Sequence, residues 1–283
     1  MKSIITDYYK LYHKSFVGRI SFFSDLHFSY NLTEEAMEKF LKHEEYVDPD
    51  YIVITGDLID SLDMLEDITE RRIFYLFLRK LSMIAPTYMS LGNHDFYGEG
   101  SYTFKQYKKD LLECSNICVL DNKNISLSDM NITGLSMNEK ACNEKSAYKT
   151  RLMAYKDILK VEQNKLNILL THSPKFNLDP DIYELISGFD LILSGHLHNG
   201  IIPGYLSFIP GSTGLVGPFH EIFPANSRNT YKKSNYKVIT TGAIRTFHTM
   251  SGFEVLNKFY PIQDVVMDID DNLKVYKKVY YEK

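Results

Sequence analysis

Apolar residues along this chain gather into short, nearly continuous runs that stop at Gly, Asp, His or Asn. Residues 18–24 (GRISFFS) run into Asp25-Leu26-His27, and residues 51–55 (YIVIT) into Gly56-Asp57. Residues 87–91 (TYMSL) run into Gly92-Asn93-His94-Asp95, and residues 166–170 (LNILL) into Thr171-His172-Ser173-Pro174. Residues 189–193 (FDLIL) run into Ser194-Gly195-His196-Leu197-His198. Runs this apolar, without polar alternation, are those of strands covered on both faces.

Between the runs the apolar spacing changes to that of helices. Residues 33–46 open with Thr33 as a cap and Glu34 and Glu35 in the first turn. Residues 68–84 carry Ile73, Leu76, Phe77, Leu81 and Ile84 at helical intervals. Residues 104–114 and 147–162 predict two more helices, and residues 179–187 a shorter one with Pro180 at its first position. Strand and helix alternate, which predicts an α/β fold with crossover connections. Residues 117–135, broken by Asp121-Asn122, Asp129 and Asn131, read as a β-meander. Further strands are predicted near residues 205–209, 236–241, 264–269 and 273–280. A long Gly/Pro/Asn-rich loop segment, 210–234, separates the first two. No repeat, low-complexity tract or linker divides the chain, so 1–283 reads as a single domain.

Composition narrows the function classes. Of the 283 residues 44% are hydrophobic and 24% charged, which is globular and not disordered. A net charge of −4 argues against a dedicated nucleic-acid binder. Cys114, Cys118 and Cys142 make no disulfide framework, and no flanking His or Cys turns the first two into a zinc site. Reduced thiols, and the lack of any run near the ~20 apolar residues of a membrane helix, predict a cytoplasmic protein.

Five of the nine histidines follow predicted strands directly, beside Asp, Asn or Gly. In an open α/β sheet, ligands bind outside the carboxyl ends of strands. That edge collects Asp25, His27, Asp57, Asn93, His94, His172, His196 and His198, a nitrogen and oxygen set suited to Zn, Mn or Fe. In Asp25-x-His27 and His196-x-His198, residues two apart on extended chain face the same side. Gly56, Gly92 and Gly195 allow tight turns where a side chain would intrude. His13 and His43 match no motif and read as ordinary loop or core histidines. Asp60, Asp63 and the Glu44-Glu45 pair read as solvated.

The ordered motifs Asp25-Leu26-His27, Gly56-Asp57, Gly92-Asn93-His94-Asp95, Thr171-His172 and Gly195-His196-Leu197-His198 resemble those of the calcineurin-like metallophosphoesterase superfamily. Gly242-Ala243-Ile244 and Pro261-Ile262-Gln263-Asp264 are most similar to the bacterial YkuE-type phosphoesterases. The chain departs from those relatives at Asn199-Gly200, where they carry two glycines, and in showing no membrane anchor before the first motif.

The resemblance implies a four-layer αββα sandwich of two mixed β-sheets flanked by helices, holding two divalent metal ions (Mn, Fe or Zn). Asp25, His27 and His198 would hold one ion, and Asn93, His172 and His196 the other, with Asp57 bridging. His94 would act as a catalytic non-ligand that stabilises or protonates the leaving oxygen, and Asp95 would orient His94. Two such ions carry four positive charges and Asp25 and Asp57 remove two, so the remainder attracts phosphate. The implied reaction is hydrolysis of a phosphodiester, pyrophosphate or phosphomonoester by a metal-activated hydroxide, on a small-molecule or lipid-linked substrate. Two alternatives are an Mn-dependent nuclease and a metal-binding scaffold for a protein partner. Residues 214–224 are apolar for a loop. They are candidates for a lip over the metals that meets an apolar or lipid-like leaving group, with peripheral membrane contact a further expectation, and His220 and His248 are candidates for touching substrate.

Overall fold

The computed structural model describes residues 4–28, 34–98, 101–114, 116–174, 180–200, 229–233, 236–241, 262–271 and 277–281. Along the first half run β1 (Ile4–Tyr12), β2 (Gly18–Phe23), α1 (Glu34–Val47), β3 (Tyr51–Ile54), α2 (Ile68–Ile84), β4 (Thr87–Met89) and α3 (Tyr102–Glu113). Then follow β5 (Ile117–Val119), β6 (Lys123–Ser126), β7 (Met130–Leu135), α4 (Glu139–Asn143) and α5 (Lys145–Ala154). The remainder is β8 (Leu166–Thr171), α6 (Pro180–Ile186), β9 (Leu191–Ser194), β10 (Asn229–Lys233), β11 (Tyr236–Thr240), β12 (Ile262–Asp270) and β13 (Lys277–Tyr281).

The strands form two mixed sheets, ordered β13-β1-β12-β2-β3-β4-β5 and β10-β11-β9-β8-β7-β6. In the first, β2 to β5 are parallel and β12 runs antiparallel to β2, between β1 and β2. In the second, β7, β8, β9 and β11 are parallel, with antiparallel β6 and β10 at the edges. Ile20, Phe22 and Val53 of one sheet pack on Ile132, Ile168 and Leu193 of the other to make the central core. Outside the first sheet α1, α2 and α3 bury Phe40, Phe74 and Leu111, and outside the second α5 and α6 bury Leu152 and Ile186. Each such side chain contributes about 1.5–3 kcal/mol of burial. The expected αββα sandwich is what forms.

Local chemistry sets the helix limits. Asp67 caps α2, accepting from the N–H groups of Thr69 at 2.7 Å and Glu70 at 3.2 Å. Its buried stripe is Phe74, Phe77, Leu78 and Leu81, whereas Leu76 of the predicted stripe is exposed. The helix predicted over 147–162 stops at Ala154. Beyond it, Asn131 Nδ2 donates to the Lys160 carbonyl at 2.8 Å and Asn167 Oδ1 accepts from the Glu162 N–H at 2.8 Å. These side chains hold residues 159–162 out of helical geometry, after a 3-10 turn over Lys156–Ile158.

The expected meander is also not one sheet. β5 pairs with β4, and the Leu120 N–H donates a last bond to the Met89 carbonyl at 2.7 Å. Asn122, at φ +52°, then turns the chain so that the β6–β7 hairpin joins the second sheet. β1 is an additional strand that the apolar pattern does not predict. The stretch 210–234, predicted as loop, contains β10 over 229–233. The rest of it, the lip at 214–224, His220, His248 and the strand near 205–209 lie outside the described residues. Among the described residues no helix is long and apolar enough to cross a membrane.

Candidate metal centre

All nine residues singled out by the motifs are buried and lie at the carboxyl ends of parallel strands from both sheets. The loops after β2 and β3 zip together first. The N–H groups of Asp25, His27 and Phe28 donate to the carbonyls of Gly56, Asp57 and Leu58 at 3.1, 3.0 and 2.9 Å. Across the sandwich, the His196 N–H donates to the Asp25 carboxylate at 3.1 Å, and His172 Nδ1 donates to the Thr55 carbonyl at 2.7 Å. A Cβ at Gly195 would stand 2.1 Å from Ser24 Oγ and 2.3 Å from Asp25 Oδ2, so this sheet-to-sheet approach requires glycine.

The backbone at the site is strained. Asp25, His27, Asp57, His196 and His198 all have positive φ, from 43° to 64°. Left-handed backbone costs a residue with a Cβ roughly 1–2 kcal/mol. The surrounding bonds hold five donors there, turning their side chains toward one point.

Two groups of donors result. In the first, His27 Nε2 lies 3.3 Å from His198 Nε2 and 3.8 Å from Asp25 Oδ1, and His198 Nε2 lies 3.3 Å from Asp25 Oδ1. In the second, His172 Nε2 lies 3.0 Å from Asp57 Oδ2 and 3.8 Å from Asp25 Oδ1. Ligands about 2.1 Å from a shared ion stand about 3.0–3.4 Å apart, so the 3.0 and 3.3 Å spacings fit metal coordination, while the two 3.8 Å spacings to Asp25 Oδ1 are wider. Two buried atoms test the fit further. Asn93 Oδ1 has no hydrogen-bond partner, and His172 Nε2, although close to Asp57, is not aligned for a hydrogen bond with it. Both are what ligands converging on a third centre look like.

Charges at the site oppose one another. Burial favours a neutral Asp57, but His172 and then His94 outweigh it and hold the carboxyl below its usual range. Burial alone would lower the His172 imidazole, yet Asp57 and Asp25 push it up to about 9. Burial, reinforced by His172, holds His196 well below its ordinary value.

Asp95, expected to orient His94, accepts hydrogen bonds from four other groups. Its Oδ2 accepts from the N–H groups of Asp57 at 2.8 Å and Gly92 at 2.9 Å. Its Oδ1 accepts from the Leu58 N–H at 3.1 Å and the Tyr107 hydroxyl at 2.8 Å. Burial and the Asp57 charge push its carboxyl up to about 6. His94 Nδ1 instead meets the Asp60 carbonyl oxygen at 2.7 Å. Asp60 is thus not a solvated bystander: its Oδ1 lies 3.6 Å from His94 Nδ1 and 3.9 Å from His27 Nδ1.

Two residues here escape sequence reasoning. Glu139 Oε2 accepts from Asn93 Nδ2 at 3.1 Å, which turns the Asn93 carbonyl oxygen the other way. The Cys142 thiol lies within 4.8 Å of ring nitrogens of His172 and His196. Neither carries a sequence signal, since both reach the site from α4, after β7 and outside the motifs.

A two-sheet sandwich that gathers Asp, Asn and His at facing strand ends defines a metal-binding α/β protein of the phosphoesterase class. Residues 18–200 match the calcineurin-like phosphoesterase family, and the chain belongs to it. It is 30% identical over 206 residues to the uncharacterized metallophosphoesterase Cj0846 of Campylobacter jejuni, covering 72% of this chain and 50% of that protein. It is 29% identical over 198 residues to the uncharacterized metallophosphoesterase YkuE of Bacillus subtilis, covering 69% of this chain and 63% of that one. These alignments span between half and 63% of the relatives' length. Among solved structures, TT1561 of Thermus thermophilus is similar over 81% of this chain and 90% of its own, at a TM-score of 0.49 and 14% identity.

Proposed function

We propose that the chain is a di-metal phosphoesterase, working as one domain, that hydrolyses a phosphodiester, pyrophosphate or phosphomonoester of a small or lipid-linked substrate. The observation that supports this best is the position of Asp57, whose Oδ2 faces His172 at 3.0 Å on one side and His27 at 3.9 Å on the other. It can therefore serve both donor groups at once. Asp25, His27 and His198 hold one ion in this reading, and Asn93, His172 and His196 the other. Two ions of the Mn, Fe or Zn class, when bound, would supply positive charge for the phosphate oxygens and lower the pKa of water toward neutrality.

The chain's own residues do the rest. Gly92 leaves room beside Asp57, where a Cβ would stand 2.3 Å from Asp57 Oδ1. Since His94 Nδ1 donates to the Asp60 carbonyl, Nε2 of the doubly protonated ring would be the atom that gives a proton to the departing oxygen, leaving the neutral Nδ1–H imidazole. His27 and Tyr97 pack on the His94 ring at centroid distances of 4.6 and 4.5 Å and fix its plane. Burial of the whole set excludes bulk water and strengthens each charge interaction.

The test is hydrolysis of bis(p-nitrophenyl) phosphate and a panel of phosphate esters by the Mn²⁺-loaded protein, with bound metal measured in parallel. Wild type turns over at least one ester, and Asp57→Asn loses both metal and activity. Full metal content and activity in Asp57→Asn contradicts the bridging role. No turnover of any ester by fully loaded wild type contradicts the enzyme.

A further inference from the structure

A second set of donors lies on the helix-covered face of the first sheet, apart from the motif residues. Thr6 of β1 and Asp264 of β12 are register partners. Ser21 of β2 pairs with Val266, two residues along β12 and therefore on the same face as Asp264. Over them α1 lays His43 and Glu44. The Glu44-Glu45 pair reads as solvated in sequence, yet Glu44 is 0% exposed. Asp264 is 1% and His43 6% exposed.

The contacts are close. His43 Nε2 lies 3.1 Å from Asp264 Oδ2 and 3.1 Å from Thr6 Oγ1. Ser21 Oγ donates to Asp264 Oδ1 at 3.1 Å. One nitrogen of His43 and one oxygen each of Glu44 and Asp264 lie within 4.8 Å of one another.

Counting protons shows what is missing. Ser21 neighbours both Asp264 and Glu44 but has one hydroxyl proton, directed at Asp264 Oδ1, and Thr6 and His43 Nε2 face each other. Neither carboxyl oxygen of Glu44 has a hydrogen-bond partner. A buried carboxylate without a hydrogen-bond donor is unfavourable. One divalent ion would cancel the charge of two carboxylates and occupy the unpartnered oxygens.

We propose that His43, Glu44 and Asp264 form a structural site for one divalent ion of the zinc class, separate from the catalytic pair. An imidazole and two carboxylates are ligands that Zn²⁺ accepts, and the Thr6 hydroxyl stands near as a fourth donor. The site is closed to solvent, so it offers no position for a substrate. Its role is to tie α1 to β12, a strand more than 200 residues later in the chain.

The experiment compares full-length wild type with Glu44→Gln, each purified with excess Zn²⁺ and freed of loose metal. Metal per chain is measured, and Zn-edge anomalous maps are collected from wild-type crystals. The expected result is one ion fewer in Glu44→Gln, an anomalous peak among His43, Glu44 and Asp264, and phosphoester turnover unchanged within about twofold. Equal metal content in both proteins, with Glu44→Gln the more thermostable, would mean that Glu44 carries a proton and would overturn the proposal. Should Glu44→Gln fail to fold, the wild-type map decides alone: an empty cluster beside an occupied catalytic centre refutes the site.

Discussion

Asp57 and Asp95 hold each other's loops in both directions. Asp95 Oδ2 accepts the N–H of Asp57 at 2.8 Å, while Asp57 Oδ1 accepts the N–H of His94, the neighbour of Asp95, at 2.8 Å. Each carboxylate is thus anchored by the loop that carries the other. Asp95→Ala leaves three backbone N–H groups and the Tyr107 hydroxyl without their acceptor. Stability falls by about 2–4 kcal/mol, and Asp57 loses its placement. Denaturant unfolding and metal analysis check this; a change below about 1 kcal/mol with full metal content would show that the clamp is dispensable.

Glu139 controls which end of the Asn93 amide faces the donors. Glu139→Ala releases Asn93 Nδ2 and lets the amide rotate, weakening metal binding by about 10–100-fold while the fold survives. Competitive metal titration against a chromophoric chelator reads the effect. Unaltered affinity would mean that the amide is held by something else.

His94 is proposed to move a proton and not to hold metal. His94→Ala therefore keeps its metal content but loses about 10²–10⁴-fold in kcat. The loss is larger for an alkyl ester, whose alkoxide needs a proton, than for a p-nitrophenyl ester, whose phenolate does not. Equal losses on both substrates would remove the acid role.

Chelation lays bare the pairing of His172 with Asp57. The folded chain holds the His172 proton up to about pH 9, whereas the unfolded chain releases it near 6.5. The stabilisation is therefore complete below the unfolded value and fades as pH rises through the folded one. In EDTA, His172→Gln lowers the Tm at about pH 6 more than at about pH 9.5. A drop of the same size at both pH values would contradict the ion pair.

Much of this arrangement was legible before folding, for a physical reason. Strands covered on both faces have little freedom in composition, so the runs before Asp25, Asp57, Asn93, His172 and His196 stand out. Donors placed directly after them meet at one edge. β1 did not stand out, because Asp7 and Lys10 interrupt its apolar run and its pairing partner β12 comes some 250 residues later. The left-handed backbone of Asp25 and Asp57 leaves no trace in composition, since the residues stay for their carboxylates and not for their φ preference. The resemblance implies that Asp95 orients His94, whereas the 3-10 turn of residues 94–96 directs its carboxylate toward the N–H groups of Asp57 and Gly92. The fate of Glu44 was hidden too. Two consecutive glutamates resemble a wet helix face until a distant strand covers one of them.

The place of β12 between β1 and β2 also constrains how the protein is made. On the ribosome, strands two to five can assemble as soon as they emerge, whereas the neighbours of β1 among the described residues, β12 and β13, come from residues 262–281. A message cut short before that point would yield a polypeptide with every motif donor and a bare sheet edge. Such a product would invite edge-to-edge association, so β12 is what shields this edge.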